Sequence, residues 1–230
     1  MKVKSKKLIV VLLILSLMSM GTVYGEGESE EEVVEILDEK ILNLEELIKE
    51  IERKQKVLNK ISRVQNYVKM DLRSNIDKVL EIEKNTPLDM EAAAVVVAYS
   101  EKFNINPSLI LAVIKQESNF NKYEVGADED RGYMQVIPST EKWLANKFGK
   151  SIGIKYDPSK IYDPEYNIGL GTIYLSILKK NYGENYNKIL SEYNRGPYNL
   201  KAYYNKHKTY TTSYSRGVLT KEKKFLKFNK

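Results

Sequence analysis

The chain has 230 residues, 42% hydrophobic and 30% charged, with a formal net charge of +6, no cysteine and one histidine, His207. Without cysteine there is no disulfide, thiolate metal site or lipid-modified cysteine, and a single histidine excludes a multi-histidine metal centre and argues against a Ser-His triad. The charge is uneven: residues 1–25 carry +4, residues 26–84 carry 11 basic and 16 acidic side chains, and the remainder carries 22 and 15, so the C-terminal half is basic and the segment before it acidic.

Lys2, Lys4, Lys6 and Lys7 precede an apolar run from Leu8 to about Met20 and small residues ending at Gly25. These are the three parts of a secretory signal peptide, residues 1–25; the run is short for a membrane span, and an uncleaved N-terminal anchor is the alternative. A signal peptide argues against nucleic acid as the partner of the basic half. It places the protein outside the cytoplasm: secreted, periplasmic or wall-associated.

Residues 26–84 read as an acidic linker, Glu26 to Glu32, followed by a helical segment. Val34, Leu37, Ile41, Leu44, Ile48, Ile51, Gln55 and Leu58 alternate steps of three and four, a heptad seam with one polar interruption. Beyond Leu58 the steps through Ile61, Val64, Val68, Leu72, Ile76 and Val79 become irregular, so the register slips or a second helix begins. The pattern predicts a coiled coil or helical hairpin. Through residues 34–82 it would form a homodimer, bind a partner helix, or pack back on the C-terminal domain. Asn85-Thr86-Pro87 ends the region, with Thr86 a cap for the next helix.

Residues 85–220 form the next domain, with helices expected at 88–103, 107–118, 140–148, 167–182 and 185–194, and residues 221–230 form a basic tail that reads as a solvated end or a wall or membrane contact. Asn106-Pro107 opens the second helix, Asn as cap and Pro at its first position. Within it Ile110, Val113, Ile114 and Glu117 share one stripe, so the Glu117 carboxyl is aimed at the core side. Burial and the negative end of the helix dipole both raise a carboxyl pKa, as a glycosidase general acid requires. A glutamate bending out to solvent from a frayed end is the plain alternative. Gly132 permits a tight turn, Ser118 offers a local hydrogen bond, and Tyr193 and Asn194 stand ahead of the Gly196-Pro197 breaker. Trp143 and the seventeen tyrosines suggest sugar stacking, though many fall at helical spacing that suits a core. His207, in a Lys-rich stretch, reads as a surface residue.

Four stretches then recur in order: Glu117-Ser118 with Phe120; Gly132, Met134 and Gln135; Asn167-Ile168, Gly171, Tyr174-Leu175 and Leu178; and Tyr193-Asn194, Gly196 and Pro197. Over about residues 88–219 this resembles the catalytic domain of the soluble lytic transglycosylase-like family, related in fold to goose-type lysozyme. The resemblance implies an all-α, lysozyme-like helical catalytic domain and an enzyme acting on peptidoglycan glycan strands without a cofactor or metal. Glu117 would be acid and then base. Tyr193 would orient it and steady an oxocarbenium ion, while Gln135 and Asn194 would hold N-acetyl sugars; Ser118, Met134 and Tyr214 join them as expected substrate-side residues. Departures from the family pattern are Glu124, Gly126, Glu129 and Asp130 in the loop after the acid, and Glu192 before Tyr193.

That resemblance further implies cleavage of the β-1,4 bond between N-acetylmuramic acid and N-acetylglucosamine to a 1,6-anhydro product, with one carboxyl sufficient. Asp128, Glu129 or Asp130 acting on a water would instead give a lysozyme-type hydrolase, whose two carboxyls stand about 5 to 9.5 Å apart. A wall-binding or assembly subunit working through its helical arm is the non-enzymatic reading.

Overall fold

The computed structural model describes residues 30–65 and 72–229. The expected signal segment and Val68 lie outside these, and the side chains of Val34, Leu37, Ile61 and Val64 are also outside the described set. Residues 1–53 and 54–230 are two compact units, each taken by itself. The described residues are helical, with β structure limited to the bridges Val125–Arg131 and Arg131–Val136.

Helix α1, Glu30–Gln65, starts within the acidic run. Leu44, Ile48 and Ile51 of the expected seam are exposed, so among the described residues no other helix covers this part of it. Helix α2, Leu72–Asn85, takes the other course. Its Val79 and Ile82 are fully buried and it packs on the next helix, so residues 72–85 belong to the core and do not stand off as an arm.

Helix α3, Met90–Phe103, is buried continuously from Ala92 to Ser100. A helix apolar on every side can only be central, and α3 is covered by α2, by α4 (Pro107–Glu117) and by α6 (Pro164–Tyr182). Thr86 is not its cap. Asp89 is, accepting from the Ala92 N–H at 2.8 Å, while the Thr86 hydroxyl turns back to the Ile82 carbonyl. Close approach of α6 to α3 depends on Gly169, where a Cβ would lie 2.9 Å from the Tyr99 ring.

Helix α4 has Pro107 at its first turn, but Asn106 makes no side-chain cap. The cap comes from the far end of the chain: Asn229 Oδ1 accepts from the Ser108 N–H at 3.2 Å, and Glu222 accepts from the Ser108 hydroxyl at 2.9 Å. Carboxylate and amide oxygens suit a helix N-terminus, whose free N–H groups carry partial positive charge. The tail is therefore not a solvated end, since Phe228 is buried against the core and Phe225 meets Phe120 edge-on.

Helix α5 spans Pro138–Phe148, and α7 spans Tyr186–His207 with a break at Gly196. Gly196 has φ 73° and ψ 166°, a region open essentially to glycine alone. Pro197 then starts a second helical half that the Gly-Pro signal had marked as a turn. Helix α8, Ser213–Glu222, follows a reciprocal cap in which Thr212 and Ser215 side chains each accept from the other's backbone N–H. It packs on α4 and α7.

Candidate active site

Glu117 is the last residue of α4, and the chain reverses after it through Asn119 and Phe120, both at positive φ. The carboxyl opens into a cleft of about 850 Å³. From behind, the Tyr214 hydroxyl of α8 donates to Glu117 Oε1. Burial pushes the Glu117 pKa up to about 7; the Tyr214 hydrogen bond works against this and the charge of Asp130 adds to it. Burial first, and the Glu117 charge next, hold the Tyr193 and Tyr214 phenols well above their ordinary range, so both remain donors.

The recurring stretches interlock around this carboxyl. Asn167, buried in α6, accepts from the Met134 N–H and donates to the Arg131 carbonyl, both at 2.8 Å. Gly132, at φ 79°, passes so close that a Cβ would meet Asn167 Nδ2 at 2.3 Å. Gly171 leaves room for Met134, whose sulfur would lie 2.4 Å from a Cβ there. The Ser118 hydroxyl lies within hydrogen-bond reach of the Ile114 and Tyr133 carbonyls, at 3.1 and 2.9 Å, tying the end of α4 to the Gly132 loop. Tyr193 donates to the Met134 carbonyl at 2.9 Å.

Among the expected substrate-side residues, Gln135, Tyr193 and Asn194 line the cleft with Glu117. Ser118 and Met134 are buried, and their contacts are structural. Tyr214 stands behind the acid and takes the orienting hydrogen bond expected of Tyr193. Gln135 spends its amide N–H groups on the Glu124 and Gly132 carbonyls. Asp128 and Asp130 line the cleft, whereas Glu192 is drawn away to the Tyr182 hydroxyl at 2.6 Å.

Sequence reasoning missed several residues of the cleft. Tyr174 lines it between Tyr193, 5.4 Å between centroids, and the exposed Trp143, 6.2 Å and edge-on. Arg195 reaches it from just before the Gly196 break, and Tyr203, Lys206 and His207 from the second half of α7, hidden by the Gly196-Pro197 breaker. Behind the loop, Glu141 is fully buried between Arg131, 2.8 Å, and the Tyr166 hydroxyl, 2.9 Å. Its signal would have been a glutamate four residues past Ile137 on a short amphipathic helix, too weak to single out. No cluster of metal-binding side chains occurs among the described residues.

The model of the transglycosylase SLT domain matches residues 94–215, just over half of the chain and the whole of this site. The protein belongs to the SLT transglycosylase family. It is 41% identical over 87 residues to the membrane-bound lytic murein transglycosylase C of Serratia proteamaculans (strain 568). The protein of the same name from Pectobacterium atrosepticum is 44% identical over 85 residues. Each alignment covers 36% of this chain and 23% of the relative, so this SLT chain matches under a quarter of their length. An inactive mutant of the lytic transglycosylase Slt from Pseudomonas aeruginosa superposes with a TM-score of 0.51 at 22% identity, over 66% of this chain and 28% of that one. That likeness shows the shared helical fold.

Proposed function

We propose that this protein is a peptidoglycan lytic transglycosylase in which Glu117 acts first as acid and then as base. The observation that carries the reading is a carboxyl at the end of an apolar helix, its pKa raised by burial to about 7, held by Tyr214 and opening into a sugar-sized cleft. The names of the Serratia and Pectobacterium relatives support it.

Protonated Glu117 gives its proton to the glycosidic oxygen as the bond from the N-acetylmuramic acid anomeric carbon breaks. The 6-hydroxyl of the same sugar attacks that carbon and returns its proton to the Glu117 carboxylate. A 1,6-anhydro ring closes, and no water is consumed. A pKa near neutrality suits a group that must give and then take one proton. The Asn194 amide and the Gln135 side-chain oxygen, the N–H groups of Gln135 being engaged, are the candidates for the N-acetyl groups, and the Tyr174–Tyr193 pair is the aromatic wall.

Such a substrate lies outside the cytoplasm, in keeping with a signal peptide or anchor in residues 1–25. No described helix is long and apolar enough to cross a membrane. The exposed Leu44, Ile48 and Ile51 of α1 support a homodimer or a partner helix there.

Mass spectrometry of muropeptides released from purified sacculi tests the reading, with Glu117→Gln run in parallel. Products ending in 1,6-anhydro-N-acetylmuramic acid, absent with the variant, are expected. Reducing-end products would make the protein a hydrolase and direct attention to Asp128 and Asp130. No release by the unchanged protein would leave the wall-binding or assembly reading.

A further inference from the structure

Helix α1 is 36 residues long, and a helix in water draws most of its stability from packing an apolar face. On α1 that face stands open: Leu44, Ile48 and Ile51 are 44, 37 and 56% exposed. The residues that make it indicate what covers it.

Val34, Ile41 and Ile48 occupy the first core position of the heptad, and Leu37, Leu44 and Leu58 the second, with Ile51 the one departure. Branched residues at the first position and leucine at the second favour two parallel strands over three or four. Gln55 takes the first position once. Its amide donates to Asn59 at 3.1 Å and has a second N–H and an oxygen to offer. In a parallel, in-register pair the two Gln55 side chains meet each other, whereas a full antiparallel overlap sets each against the leucine at position 37. A lone polar residue at this position fixes register.

The charges beside the seam are sorted by side. Asp38, Glu45 and Glu52 each follow a second core position, while Lys40 and Lys54 each precede a first. Parallel strands set the lysine side of one helix against the acidic side of the other, so Lys40 faces Glu45 of the second copy, twice by symmetry. Antiparallel strands set like sides together, acid on acid and lysine on lysine, in every register. A foreign helix would have to supply the complement; this sequence carries both halves itself. We propose, deepening the homodimer reading above, that α1 pairs with α1 of a second copy of this chain as a parallel, in-register, two-stranded coiled coil over residues 34–58.

Sedimentation of the full chain tests this and should show a concentration-dependent dimer. Lys40→Glu should raise the dissociation constant about tenfold, and Lys40→Glu with Glu45→Lys should restore it, because the charges are then exchanged and not lost. Leu44→Glu with Ile51→Glu, at positions exposed in the single chain, should leave a monomer. The chain has no cysteine, so Ile51→Cys reports orientation by itself. In the parallel pair the two thiols adjoin, and oxidation links the dimer. In the antiparallel overlap they stand ten residues apart along the axis, roughly 15 Å, too far for a disulfide. Leu42→Cys, on the outer side of the helix, should not link. The inference is overturned by a chain that stays monomeric, by a trimer or tetramer, by a dimer indifferent to Lys40→Glu or to Leu44→Glu with Ile51→Glu, or by linking at position 42 as ready as at 51. Association is read without substrate and so separates from the glycan-cleaving reading. A dimer that releases no muropeptide would count against that reading alone, and a monomer that makes 1,6-anhydro products against this inference alone.

Discussion

Glu117 keeps its proton to about pH 7 because burial strips water from the carboxylate, with the Asp130 charge adding to that effect and the Tyr214 hydroxyl opposing it. Cleavage by general acid should therefore fall above about pH 7, one proton deep, in the pH profile of kcat/KM, which reports the free enzyme. Removing the neighbouring negative charge makes ionised Glu117 easier to form, so Asp130→Asn should move this alkaline limb to lower pH. A limb that stays put in Asp130→Asn would take Asp130 out of the electrostatics of the site. The same burial has a consequence for stability. The folded pKa lies above the ordinary 4.5, so the folded state holds a proton that the unfolded chain releases, and the Glu117 contribution turns unfavourable as pH rises from about 4.5 to 7. Glu117→Gln, which still accepts from Tyr214, should thus be more stable than the natural protein at pH 8, by on the order of 1 to 3 kcal/mol. The advantage should vanish in melts below pH 4.5.

Between elements, the contacts that hold the site are short and few. Asn167 joins α6 to the loop below the acid through two buried hydrogen bonds, so Asn167→Ala strands the Met134 N–H and the Arg131 carbonyl. Each stranded group costs about 1 to 3 kcal/mol, and denaturant melts should show a loss of roughly 2 to 5. Gly196→Ala isolates a different quantity. Nothing lies within 4 Å of a Cβ there, so any loss, about 1 to 3 kcal/mol, comes from backbone strain at φ 73° and ψ 166° and not from a clash. Melts that match those of the natural protein would mean that the kink relaxes. These contacts also explain what the sequence disclosed. The spacing of Glu117, Gly132, Asn167 and Tyr193 was legible because each motif is a local pattern, and the apolar stripe of α4 pointed Glu117 inward correctly. The roles within the motifs were not legible. Ser118 and Met134 look like site residues by position, yet what decides their part is a carbonyl or a glycine far away in the chain. The second half of α7 was hidden for a related reason, since Gly-Pro reads as a stop locally and only the packed structure shows helix resuming behind it.

At the scale of the packed unit, local breakers misplace the edges of the core. Asn85-Thr86-Pro87 separates two helices, as its residues suggest, but α2 on its near side buries Val79 and Ile82 in the same core as α3. At the other end, ten residues with five lysines resemble a solvated tail, yet Phe228 is 1% exposed and Asn229 caps the helix that carries Glu117. Neither fact follows from composition, because Phe225 and Phe228 among five lysines are too few to set a periodicity. Residues 86–220 would keep every residue of the cleft and lose both supports. Full burial of Val, Ile or Phe stabilises by about 1.5 to 3 kcal/mol each, so the three together contribute roughly 5 to 8. That is comparable with the whole stability of an ordinary domain, about 5 to 15 kcal/mol. Residues 72–230 should accordingly melt in one cooperative transition, while residues 86–220 should lose near-ultraviolet ellipticity, bind a hydrophobic dye and cleave no sacculi. A cooperative melt of the shorter piece within a few degrees of the longer would show that α2 and the tail merely cover the core, and that the end of α4 holds Glu117 in place without Asn229.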